Sequence, residues 1–318
     1  MDNLRFLYDE PQEAAWFRAL DSRLSNIPMA HIGDTNESSK VSRVLSYDRP
    51  DIVLIDGDQP ILVVEESEEV PSGHNALQRF ARMAAASENS VPAIYFGPYK
   101  AFKGGGETRG PRYMNLRLFK AFHRMMEITG SVVTTINWPV DSNAMVIKGP
   151  GWPGSKSVRE YMSMFLDAYL RVGFAGINQA ILESDFHIQS IAEQENFAEN
   201  EITLRNRISY DSPPDTVEIM SNDEFSRRYG ISNISAEKIL VYSCGTRTVR
   251  SDPYTGSAIA YDYLYAKGNN MKIALRFQNL PIEEWERVSM RDRKDIRLYR
   301  HVGDVLIFQN GWKWSKKN

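Results

Sequence analysis

Residues 51–67 read DIVLIDGDQPILVVEES. Two apolar runs, Ile52 to Ile55 and Ile61 to Val64, flank the triplet Asp56-Gly57-Asp58. β-branched runs of this length on either side of an Asp-Gly turn predict a β-hairpin. That commits this part of the chain to a sheet. The segments around it alternate in type. Residues 10–24 (EPQEAAWFRALDSRL) place Ala14, Phe17, Leu20 and Leu24 at helical spacing. Residues 31–46 are polar and Ser-rich, a loop or an edge strand. Residues 74–87 predict a helix, 91–96 a strand ending at Gly97-Pro98, 115–129 a helix and 131–137 a strand. This order predicts an α/β core with a mixed β-sheet flanked by helices.

The run GPGWPGSK at 149–156 marks the expected boundary between a core at 1–148 and an additional α+β region at 149–318. A helix is expected at 157–172, and short strands at 238–249, 258–265, 271–277 and 303–309. The polar stretch 176–235 carries no clear period.

Composition removes several classes of function. The only cysteine is Cys244, which excludes an intramolecular disulfide and a thiolate zinc cluster. The amino-terminal residues are acidic and no apolar run is long enough to span a bilayer, so a cytoplasmic protein without membrane contact is expected. The net charge is −3, so any nucleic-acid binding must come from local basic patches. No GxxxxGK[ST] loop occurs, and no nucleotide cofactor is expected. No serine or cysteine nucleophile motif is present, and His31, His123, His187 and His301 show no metal-ligand spacing.

The chemistry gathers at the ends of the hairpin. Pro50-Asp51 precedes the first apolar strand, and Glu65-Glu66-Ser67 ends the second. Side chains alternate along a strand, so Glu65 and Ser67 share one face while Glu66 and Glu68 share the other. Carboxylates at the mouth of an apolar sheet form a hard-oxygen site suited to Mg2+ or Mn2+. Solvated strand ends are the ordinary alternative for such acids.

Pro50-Asp51, the apolar hairpin, Glu65 and the flanking helices together resemble the PD-(D/E)XK nuclease superfamily over about residues 10–137. The resemblance implies a restriction-endonuclease-like fold. It also implies a magnesium-dependent hydrolase of phosphodiester bonds in double-stranded DNA, of the type II restriction kind and often a homodimer. Asp51, Glu65 and Glu66 would bind metal. The motif departs from the family at Ser67, where a lysine is usual. Glu66 or Glu68 could take its role, or Lys40, Gln78 or Arg79 from elsewhere, with Gln78 on the following helix orienting water or phosphate. The departure equally suits a catalytically inactive DNA-binding or regulatory subunit with the same fold.

Arg79 and Arg82, three apart on the helix after the hairpin, are candidate phosphate contacts. Lys100, Lys103, Arg109 and Arg112 surround Gly104-Gly105-Gly106, a basic loop suited to a DNA backbone. Arg247 and Arg250 precede the turn-like SDPYTG and could read bases or hold phosphates. The tail WKWSKK at 312–317 mixes aromatic and basic residues.

Overall fold

The computed structural model describes residues 3–34, 37–70, 74–102, 110–114, 116–147, 156–200, 217–244, 263, 266–289 and 294–315. The chain forms two compact units. The first comprises Met1–Pro71, Arg82–Leu116 and Met125–Asn206; the second comprises Ser72–Ala81, Arg117–Arg124 and Arg207–Asn318.

The first unit is built on a six-stranded sheet. Its strands, in chain order, are β1 (Leu4–Tyr8), β2 (Met29–His31), β3 (Ile52–Asp56), β4 (Gln59–Glu66), β5 (Ala93–Gly97) and, after a two-residue pair β6 (Lys100–Ala101) and β7 (Arg112–Tyr113), β8 (Val133–Asn137). The spatial order is β2-β1-β3-β4-β5-β8. β3 is antiparallel to both of its neighbours, β1 and β4, whereas β4, β5 and β8 run parallel. The helices in this stretch of the chain are α1 (Pro11–Arg18), α2 (Ser39–Val44), α3 (His74–Glu88), α4 (Leu116–Thr129), α5 (Lys156–Leu182) and α6 (Asp185–Asn200), with Ser72–Ala81 and Arg117–Arg124, parts of α3 and α4, counted in the second unit.

The predicted hairpin is β3 and β4, with Ile52 opposite Val64 and Val53 opposite Val63, and a register shift between Leu54 and Ile55. Its apolar runs are fully buried because a sheet with helices on both faces leaves neither strand face to water. The helix expected over 10–24 is shorter: α1 ends at Arg18 and a single 3-10 turn covers Ser22–Leu24. Trp16 of α1 and Trp138 stack on opposite sides of the sequence from Phe96, at centroid distances of 6.1 and 4.7 Å. These rings belong to a core shared by Phe6, Phe17, Leu54, Leu62, Val64 and the first half of α5.

The first unit extends past the expected 148/149 division. α5 buries Val158, Tyr161, Met162, Phe165 and Leu166 in that core, which ties it to the first sheet. At Gly173 the backbone turns to φ 64°, and α5 kinks there. α6 lies within the polar stretch that shows no clear period. Most of its buried residues are polar, with Phe197 the exception: Ser190 donates to the Thr135 carbonyl at 2.6 Å, and Gln194 donates to Thr135 Oγ1 at 2.5 Å. A helix that meets a sheet through hydrogen bonds shows little apolar period.

The second unit has a five-stranded sheet of order β13-β12-β11-β10-β9. Its strands are β9 (Val217–Ser221), β10 (Lys238–Cys244), β11 (Lys272–Phe277), β12 (Val305–Phe308) and β13 (Gly311–Trp314). β10, β11 and β12 are parallel, and the outer strands are antiparallel to their neighbours. Helices α7 (Asn222–Tyr229), α8 (Ile282–Ser289) and α9 (Lys294–Val302) accompany it. The strands expected at 238–249, 271–277 and 303–309 correspond to β10, β11 and β12, with 245–249 lying outside the described residues. Most of 258–265 lies outside the described residues, and Tyr263 within it is helical, not extended. No helix among the described residues is long and apolar enough to cross a membrane.

Candidate metal centre

The hairpin register brings the start of β3 beside the end of β4. Ile52 pairs with Val64, so Asp51, one residue before the strand, lies next to Glu65 and Glu66. Asp51 Oδ2 accepts a hydrogen bond from the Glu66 backbone N–H at 2.5 Å. Glu66 follows Leu62 and Val64 on the face that α1 covers. On that helix Glu13 precedes Trp16 and Phe17 by three and four residues, and so shares their side. Trp16 and Phe17 are anchored in the core, and Glu13 is carried to the mouth of the sheet. Carboxylate oxygens of Glu13, Asp51 and Glu66 all lie within 4.8 Å of one another.

Glu65 alternates to the opposite face and meets a cation. Arg82, on α3, approaches with Nη1 at 2.5 and 2.6 Å from the two Glu65 oxygens and 3.3 Å from Asp51 Oδ1. Its Nε donates to Asp48 Oδ2 at 3.1 Å. Glu65 is 0% exposed and Arg82 5%. Asp51 therefore belongs to both groups: one oxygen faces Arg82, the other the Glu66 amide.

Electrostatics follow from this crowding. Burial raises the Asp51 carboxyl well above the usual range, and Glu65 and Glu13 push it the same way, against Arg82. Burial also lifts Glu13, to about 7, although the Glu10 N–H on its side chain opposes the shift. For Arg82, burial alone would favour deprotonation, but Glu65, Asp51 and Asp48 outweigh it and the guanidinium stays charged. Closely packed acids with raised affinity for protons, as Asp51 and Glu13 are, would be relieved by an added cation. Three hard oxygen donors at this spacing fit a divalent ion such as Mg2+ or Mn2+.

The expected site residues are thus distributed unevenly. Asp51 and Glu66 converge. Glu65 lies beside Asp51 as expected, but both of its oxygens are on Arg82 and it is not in the carboxylate triad. Ser67 is buried, donates its hydroxyl to the Glu69 carbonyl at 2.8 Å and accepts from the Glu69 N–H, a turn that ends the strand. Lys40 pairs with Asp58 at the hairpin turn, the opposite end of β3 from Asp51, so it does not stand in for the usual lysine. Arg82 binds carboxylates where a phosphate contact was expected. Arg79 is half-buried on α3, and Arg112 is half-buried on β7. The side chain of Gln78, and Lys103, Arg109, Arg247 and Arg250 altogether, lie outside the described residues.

Glu13 was not among the expected ligands. As the third residue of α1 it completes a capping box with Glu10, a sufficient local reason for an acid at that position. Its one additional signal was the helical spacing to Trp16 and Phe17. Comparisons of the chain with protein-family models, with curated proteins and with solved structures give no match.

Proposed function

We propose that the protein is a metal-dependent endonuclease that hydrolyses phosphodiester bonds in double-stranded DNA, of the restriction type. The observation that carries this reading is the convergence of Glu13, Asp51 and Glu66 at the open end of a buried hairpin. Their all-oxygen chemistry suits Mg2+ or Mn2+. The mixed sheet, the Pro-Asp before β3 and the acids ending β4 agree with the resemblance to PD-(D/E)XK nucleases.

A divalent ion bound there would lower the pKa of an attacking water and take up charge on the leaving oxygen. The chain's own part is to hold three carboxylates in place: Glu13 through the α1 core contacts, Asp51 through the Glu66 amide, and Glu66 through strand pairing with β5. DNA would be held by basic groups of this unit such as Arg112, with Lys103 and Arg109 as candidates from outside the described residues. A two-fold homodimer would let such an enzyme cut both strands.

A second reading has one specific observation behind it. The place beside Asp51 and Glu65 already contains a cation, Arg82, and position 67 is a serine bound to its own turn. A nuclease fold that binds DNA without cutting it would tolerate both.

Supercoiled plasmid incubated with Mg2+ or Mn2+ separates the two. The nuclease reading expects nicked and linear products that EDTA, Asp51→Asn and Glu66→Gln each abolish. Intact plasmid under every metal tested, with a salt-sensitive gel shift retained, would replace it with the second reading.

A further inference from the structure

We propose that Arg82 is the resident cation of this cluster: paired with Glu65 it fills the place of a second metal ion, so that the site takes up one divalent ion and Glu65 is a positioning residue, not a ligand. The inference rests on the metal-site reading above.

The geometry supplies the argument. Adjacent glutamates at the end of β4 point to opposite faces of the sheet. On one face Glu66 joins Glu13 and Asp51. On the other, Glu65 has both oxygens within 2.6 Å of a single guanidinium nitrogen. A magnesium ion bound by Asp51 and Glu65 would need oxygens at about 2.0–2.1 Å, in the space that Nη1 already holds. Displacing Arg82 would also break its buried ion pair with Asp48, which is 2% exposed.

The identity of the cation matters. Arginine presents Nε and Nη1 in a rigid fork, so one side chain spans Asp48 at one position and Glu65 and Asp51 at the other. Asp51 is thereby fixed from two sides, by Nη1 on Oδ1 and by the Glu66 amide on Oδ2. Arg82 reaches the strand ends from the helix and acts on Asp51. It is a positioning residue acting through a ligand.

Titration of the metal-free protein with Mn2+, followed by calorimetry and by the paramagnetic resonance of free ion, tests this. The expected result is one ion per chain in the wild type, one ion in Glu65→Gln with an affinity lowered by less than about tenfold, and a loss of affinity of about tenfold or more in Glu66→Gln. Arg82→Met should bind a second ion, and Mn2+ should raise its melting temperature more than that of the wild type. If Arg82→Met does not fold without metal, Glu65→Gln decides alone. Two ions in the wild type, or a tenfold weaker site in Glu65→Gln, would overturn the inference and leave the metal site standing. No ion bound at millimolar Mn2+ would overturn both.

Discussion

The two sheets of this protein solve the same packing problem with different materials. Each is mixed, with a parallel group of three strands and antiparallel neighbours. Among the described residues, the second unit fills its interior with apolar groups. Phe277 lies against Trp285, Tyr299 and Phe308, and Ile239, Val241, Val305 and Ile307 form a second cluster. Even Cys244 is buried there as an inert thiol, with its pKa pushed up by desolvation. The first unit buries Asp48, Asp51, Glu65, Glu66 and Arg82 at one end of its sheet. Removing an ion from water costs several kcal/mol even after relaxation. Among the described residues, the second sheet buries no comparable cluster of charged groups. The buried acids of the first could hold a metal ion.

The comparison is sharpest at Arg82 and Phe277. Arg82→Ala should destabilise the first unit by about 3–5 kcal/mol, since it leaves buried carboxylates without their cation. Phe277→Ala should cost the second unit a similar 3–5 kcal/mol through a cavity. Hydrogen exchange resolved to individual amides would assign each loss to its own sheet. Added Mn2+ should recover part of the first loss and none of the second. Equal recovery in both would break the distinction.

Metal alone should act on one sheet. At about a hundredfold excess over its dissociation constant, a bound ion stabilises by about 2.7 kcal/mol. That protection should appear in β3 and β4, be absent from β10 to β12, and vanish in Asp51→Asn.

The pH dependence should also be confined. Glu13 rises from an ordinary 4.5 to about 7, and Asp51 rises as well, so the folded first unit holds these protons more tightly than the unfolded chain. The stability these groups contribute is full below their ordinary values of 4.5 and 3.8, and is lost as pH climbs from there through 7. Thermal melts in EDTA should show that decline, Glu13→Gln should reduce it, and saturating Mn2+ should suppress it. A first unit that gained stability between pH 5 and 7 would contradict the crowding of the acids.

The smallest effect belongs to the second unit. Ser221 caps α7 by accepting from the Glu224 N–H. Ser221→Ala should cost about 1 kcal/mol, independent of metal and of pH over the same range.

Particular residues show how far the fold could be read. The hairpin was legible because Ile52 to Ile55 and Ile61 to Val64 are too apolar for a surface and are joined by Asp-Gly. β1 was not read, since Leu4–Tyr8 is a short run whose strand character depends on pairing with β3. β13 resembled a basic aromatic tail, yet Trp312 and Trp314 pair with Ile307 and Val305 of β12. The division at 149 looked natural because Gly and Pro cluster there. It failed because α5, seven residues later, packs into the preceding core.

For the site, the sequence by itself determined that two acids end a buried strand on opposite faces, and that an Asp begins the strand beside it. The period of two along β4 makes this unavoidable. What each glutamate meets was decided by tertiary structure alone. α1, held by Trp16 and Phe17, carries Glu13 to the face of Glu66, while α3 carries Arg82 to the face of Glu65. Neighbouring residues thus enter different environments, one among carboxylates and one on a guanidinium, because the placement of the helix over each face is set by core packing, which no local spacing records.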